Sequence, residues 1–160
     1  MCKLELNKIH LGDCLQLMKD IPDNSIDCII CDLPYGTTAC KWDSIIPLEP
    51  LWIQYWRILK PAGAILLFGS QPFSASLIMS CPEHFKYEWI WIKGRASGFV
   101  HAKNKPLKAH ENILVFSRGT TVHESQSDAR MNYYPQKEKG FQSYSRVQKT
   151  PNTGRLNHEP

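Results

Sequence analysis

Apolar positions along this chain fall into two periods, and the places where one period gives way to the other mark its elements. Ile26 to Cys31 form a short, nearly continuous apolar run, which suits a strand covered on both faces of a parallel sheet. The run turns polar at Asp32 and meets Pro34 and Gly36, so the strand stops there. Residues 6–11 predict an earlier strand, broken at Gly12. Asp13 then caps a helix to about Asp20, with Gln16 three places on for a capping-box pair and Cys14, Leu17, Met18 and Ile21 on one face. Over 48–59, Leu48, Leu51, Trp52, Tyr55, Trp56 and Leu59 recur at helical spacing, a core face rather than a binding platform. Pro61 to Gly63 end that helix, and Ala64–Phe68 predicts a buried strand. Gly69 to Pro72 open a helix to about Ser80 with Ser70 as its cap. Phe85–Lys93 alternates, with Tyr87, Trp89, Trp91 and Lys93 on one face, as in a half-exposed strand; His110–Ser117 is the last strand. Helices interleaved with strands make the fold class α/β.

The candidate chemistry sits where the first apolar run ends. In open α/β sheets, ligands bind in the crevice beyond the carboxyl ends of the strands. There Asp32 can accept a hydrogen bond, Pro34 stiffens the backbone, and Tyr35 can stack on a flat ring. The following residues, 36–43, are small and polar apart from Trp42 and read as a mobile lid. Trp42 either packs over a bound base or staples the loop to the core; the second reading is preferred.

Composition narrows the class. A chain of 160 residues suits one domain with a respectable core, and no apolar run approaches a membrane span. No secretory core follows Met1, which points to the cytoplasm. The six cysteines are scattered; Cys28 and Cys31 lie three apart on a strand and point to opposite faces, so buried reduced thiols are expected rather than a metal or redox pair. Charge is unevenly placed: residues 1–92 hold seven Lys/Arg and ten Asp/Glu, a net of −3, whereas 93–160 hold twelve and five, a net of +7. Such a split suits a core with a basic arm that meets a polyanion, or a solvated tail. Beyond Arg118 no apolar period remains, and little independent order is expected.

Asp32-Leu33-Pro34-Tyr35 resembles the Asp-Pro-Pro-Tyr signature of the amino-group DNA methyltransferases, which methylate adenine N6 or cytosine N4. The order of the surrounding segments is similar to the β class of that family, in which the catalytic half comes first. Gly12-Asp13-Cys14 resembles the cofactor-side motif, Leu59 to Gly69 the helix–turn–strand that follows catalysis, and Trp89–Lys93 with His110–Phe116 the closing strand pair. Leu33 departs from the usual Pro.

The resemblance implies a Rossmann-like sheet for S-adenosylmethionine-dependent methyl transfer, incomplete, with the catalytic half in residues 1–118 ending in an antiparallel strand pair. Residues 119–160 would be a basic, poorly ordered start of a recognition region. It implies that Asp32 accepts one hydrogen of a flipped-out adenine amine, that the Leu33 carbonyl accepts the other, that Pro34 stiffens the loop and that Tyr35 stacks on the base. Asp32 also lies on the cofactor side with Asp13 and Cys14; Asp13 would accept from the cofactor's adenine, or be a plain helix cap. Asp rather than Ser at the motif's first position favours adenine. Lys41, Trp42, Lys93, Arg95, Lys103, Lys105 and Lys108, with His101 and His110 among them, are the candidates for double-stranded DNA contacts. No metal ligand set is expected.

The family's Gly-rich cofactor loop and the acidic strand end after it have no counterpart in these residues. The strand at 6–11 would then lack a neighbour and the catalytic strand would expose an apolar edge. Taken alone, the chain is therefore expected to bind S-adenosylmethionine weakly and turn over little. Rival readings are a non-catalytic DNA-binding fragment, or half of a split enzyme completed by a second chain or a homodimer. Cytosine-N4, RNA or protein-glutamine methylation is a further alternative, and motif order argues against the last two.

Overall fold

The computed structural model describes residues 4–122 and 129–136. Four strands form one sheet in the order β1-β2-β4-β3. They are β1 (Ile26–Asp32), β2 (Leu59–Gly69), β3 (Phe85–Ser97) and β4 (Lys108–Phe116). β1 and β2 run parallel, joined through helix α2 (Leu48–Ile58); β4 is antiparallel to both β2 and β3. The expected terminal antiparallel pair is therefore present. Helix α1 (Cys14–Leu17) precedes β1, and α3 (Phe73–Ser80) follows β2.

The sheet alternates strictly enough for its two faces to be named. Ile29 and Cys31 of β1, Ile65 and Leu67 of β2, and Leu114 and Phe116 of β4 meet Leu51, Trp52 and Tyr55 of α2 and Phe73 and Leu77 of α3 in one core. The aromatic stripe of 48–59 is thus a core face, as its spacing predicts. Trp52 anchors it, with its indole N–H donating to Ser80 Oγ at 2.8 Å and its ring 4.8 Å from that of Phe116. Arg57, in the last turn of α2, donates to the Met18 and Ile21 carbonyls at 2.6 and 2.8 Å, which ties the segment before β1 to the helix.

Several expectations change. β1 is covered on one face only, because α2 and α3 pack on the same side; Ile30 on the other face is 67% exposed and Cys28 is exposed too. Residues 6–11 are not a strand: Asn7 adopts a left-handed conformation, no strand among the described residues pairs with them, and Leu6, Ile9 and Leu11 are exposed. The helix from Asp13 is a single turn followed by a 3-10 turn over Met18–Asp20. Ser70 does not cap α3; Pro72 occupies that position, and Ser70 Oγ accepts from the Lys108 ammonium instead. β3 runs on to Ser97 and β4 begins at Lys108, so both strands extend past the bounds that the pattern predicts at Lys93 and His110.

The described cysteines are free thiols, as expected, but Cys28 and Cys40 are exposed rather than buried. After β4 the chain folds back: Thr120 bridges to Arg130, and the Asn132 N–H donates to the Ala62 carbonyl at 3.0 Å. For residues 123–128 and 137–160 the expectation of little order lies outside the described residues. Among the described residues no helix is long and apolar enough to cross a membrane.

The two faces of the β1–β2 pair should respond differently to substitution. Leu67→Ala, at a fully buried position, is expected to lower the unfolding free energy by about 2–5 kcal/mol in urea titrations. Ile30→Lys should change it by no more than about 0.5 kcal/mol, while reducing self-association in sedimentation, because it charges an open sheet edge.

Candidate active site

The parallel pairing of β1 and β2 brings their carboxyl ends together, with Asp32 opposite Phe68. Asp32, the last residue of β1, is exposed there. The next side chain, Leu33, dives into the core at 5% exposure and fixes the backbone on either side of it. Pro34 and Tyr35 are half-buried. The Tyr35 hydroxyl donates to Asp32 Oδ1 at 2.8 Å, and its ring stacks on Phe73 with centroids 5.1 Å apart and planes 28° apart. The motif thus closes on itself, with α3 supplying the floor under Tyr35. Burial, followed by the Asp32 hydrogen bond and the charges of Asp32 and Glu111, pushes the Tyr35 phenol well above its ordinary range, so it stays a donor.

A carboxylate has about four lone-pair sites, so one hydroxyl bond leaves Asp32 with acceptor capacity. The Tyr35 bond also fixes the orientation of the carboxylate.

The loop after Tyr35 is braced rather than loose. Asp43 is buried, and its carboxylate accepts from the backbone N–H of Gly36 at 2.9 Å, Thr37 at 2.9 Å and Thr38 at 2.6 Å. Gly36 turns the chain with φ +67°, and a Cβ there would meet Ile45 Cγ1 at 2.9 Å, so glycine is required twice over. Trp42 is 71% exposed, so it does not staple the loop to the core; its neighbour Asp43 does. Nothing in residue type distinguishes Asp43 from other loop acids, and sequence reasoning missed it. Phe73 was missed as a site residue for a related reason: its apolar character reads equally as core.

The other candidates scatter around this centre. The Asp13 carboxylate caps α1 by accepting from the Gln16 N–H at 3.0 Å, while Gln16 Oε1 accepts from the Lys19 ammonium, so the reciprocal half of the capping box is not made. Burial, Asp13 and then Cys31 push the Cys14 thiol up, and Cys14 and Cys31 both pack against the core. Lys93 pairs with Glu111, with its ammonium 5.9 Å from the Trp91 ring centre, and Glu111 in turn acts on Tyr35. The Trp91 ring meets that of Phe68, the residue paired with Asp32, at 5.7 Å, which puts Lys93 near the site's edge. Lys108 is held by Ser70. Lys41, Arg95, Lys103 and Lys105 are exposed, as are His101 and His110.

Asp43 gives the loop a pH signature. The Thr38 hydroxyl and the three backbone N–H groups together hold its carboxyl down to about 2. A carboxyl depressed by folding contributes stability above its unfolded value, near pH 4, and loses it as the pH falls through the folded value. The amides of Gly36, Thr37 and Thr38 should therefore stay protected from exchange down to about pH 4 and lose protection between about pH 4 and 2, read by NMR against core amides such as that of Leu114.

No protein-family model matches the chain. Among curated proteins it is similar to type II methyltransferase M.BglII of Bacillus subtilis, 30% identical over 135 residues, covering 72% of this chain and 36% of that protein. It is also similar to type II methyltransferase M.BamHI of Bacillus amyloliquefaciens, 28% identical over 126 residues, covering 72% of this chain and 29% of that one. Among solved structures, an M1.HpyAVI–SAM complex aligns over 80% of this chain and 58% of its own, with a TM-score of 0.48 and 17% identity. The chain spans about a third of the length of the two curated relatives. It is a homologue of the type II methyltransferases.

Proposed function

We propose that this chain carries the base-holding half of a DNA adenine N6-methyltransferase that uses S-adenosylmethionine and acts on duplex DNA, as in restriction–modification. The observation that carries the reading is the exposed Asp32 carboxylate, held by Tyr35 at the carboxyl end of β1 with acceptor capacity to spare. An adenine amine is a poor nucleophile because its lone pair is delocalised into the ring. A site that accepts both amino hydrogens favours the positive charge that grows on nitrogen as it attacks. Asp32 accepts one hydrogen and the Leu33 carbonyl the other; the second acceptor is backbone, so Leu in place of Pro at 33 is tolerated. The base stacks on Tyr35, extending the Tyr35–Phe73 stack by one ring. Extruding that base from the duplex costs a few kcal/mol, which the exposed cations Lys41, Arg95, Lys103 and Lys105 help offset by holding phosphates, with Trp42 beside them.

Bound S-adenosylmethionine supplies the electrophilic methyl group. Of the chain's residues, Asp13 and Cys14 at the start of α1 would hold its adenine side, and Asp32 would serve both cofactor and base. The exposed, apolar far face of β1 favours a second reading alongside the first, a half-enzyme completed by another polypeptide that pairs with this edge.

The test is a single-turnover incubation of excess chain with S-adenosylmethionine and duplex DNA, digested and read by mass spectrometry. N6-methyladenine is the expected product, at a low level, falling by about 100-fold or more in Asp32→Asn because an acceptor becomes in part a donor. N4-methylcytosine instead, or no methylated base from the unmodified chain, contradicts the assignment. Calorimetric titration with S-adenosylmethionine should show binding weaker than micromolar; micromolar affinity would mean that the residues present already make a complete cofactor site.

A further inference from the structure

The loop that leaves the Asp32–Tyr35 pair is held by one buried carboxylate to which no role in the reaction has yet been given. Three successive backbone N–H groups, of Gly36, Thr37 and Thr38, converge on the two oxygens of Asp43 at 2.6–2.9 Å. Successive amides converging on one anion form a nest, and charge-assisted bonds of this kind are roughly twice as strong as neutral ones. A surface loop needs no such arrangement to be soluble. Burying a carboxylate is costly unless it is fully satisfied, so a nest that takes Asp43 to 8% exposure is a specific solution to a specific constraint. What it constrains is the backbone beginning one residue after Tyr35. Gly36 is pinned by its N–H on one side and has no room for a Cβ against Ile45 on the other. The Tyr35 phenol, in turn, has two contacts that require its placement: the Phe73 ring beneath it and Asp32 Oδ1 at its hydroxyl.

We propose that Asp43 is a positioning residue for the Asp32–Tyr35 pair. By gathering the amides of residues 36–38 it fixes the turn after Tyr35, and this holds the phenol on Phe73 and against the Asp32 carboxylate. Asp43 does not touch the base or the cofactor; it acts through the loop. The inference rests on the proposed function for its consequence, a preformed base platform, but not for its test, which uses neither DNA nor cofactor.

Asp43→Asn keeps the shape and leaves only one acceptor oxygen. Thr38→Val removes the hydroxyl that helps hold the Asp43 carboxyl down and that accepts from the Cys40 N–H at 3.3 Å, and keeps the test open should the first variant not fold. Two signals are read by NMR on the full chain: exchange of the 36–38 amides, and the ring resonances of Tyr35, assigned by their loss in Tyr35→Phe. In D43N the three amides should exchange at least about tenfold faster, with Leu67 and Leu114 unchanged, and the Tyr35 ring signals should move as its bond to Asp32 loosens. Thr38→Val should shift both in the same direction by less. Faster exchange with an unmoved Tyr35 signal would reduce Asp43 to a loop brace and overturn the proposal, as would amides that do not respond. If the methylation assay fails while Tyr35 moves, the base-binding reading falls and the positioning role of Asp43 stands.

Discussion

Parallel pairing of two strands forces both to end on the same side, and the chemistry of this chain follows from that constraint. β1 and β2 stop together, Asp32 beside Phe68, and each is followed by a turn rather than by a hairpin return. Polar groups at such an end have no ladder partner across the mouth and no apolar neighbour to hide behind. Three residues, Ser70 to Pro72, lead from β2 into α3, whose first residue, Phe73, comes under Tyr35. The site is therefore assembled from two strand ends and one helix start, all fixed by the core beneath them.

Two aspartates eleven residues apart illustrate how environment assigns roles. Asp43 is buried with its oxygens occupied by three amides, which makes it structural and strongly acidic. Asp32 is exposed with one phenol donor, which leaves it oriented but not saturated. A saturated acceptor organises a backbone; an oriented, unsaturated one is available to a ligand.

The site was legible in the sequence where chemistry and position coincide. An apolar run that ends in Asp, Pro and Tyr marks a strand mouth, and the structure brings Asp32 and Tyr35 into contact there. The α2 face was legible because six large side chains recur at helical spacing over 48–59. What the pattern did not show depends on contacts distant along the chain. Residues 6–11 carry Leu6, Ile9 and Leu11 ahead of a glycine, but a strand exists only where a partner offers its ladder, and Asn7 breaks the extended run locally. Trp42 was given the stapling role on hydrophobicity, whereas hydrogen-bond satisfaction at Asp43 performs it. Lys93 and Lys108 read as cations for DNA, yet the hairpin engages each with a neighbour, Glu111 or Ser70.

The account stands on Asp32 and the Leu33 peptide oxygen facing an extruded purine amine. A crystal structure of the chain with a duplex containing its target adenine measures this directly. The account predicts the adenine N6 at about 2.7–3.2 Å from both the Asp32 carboxylate and the Leu33 carbonyl, with the base stacked on Tyr35. A base left in the duplex, or one lodged away from the end of β1, would contradict it.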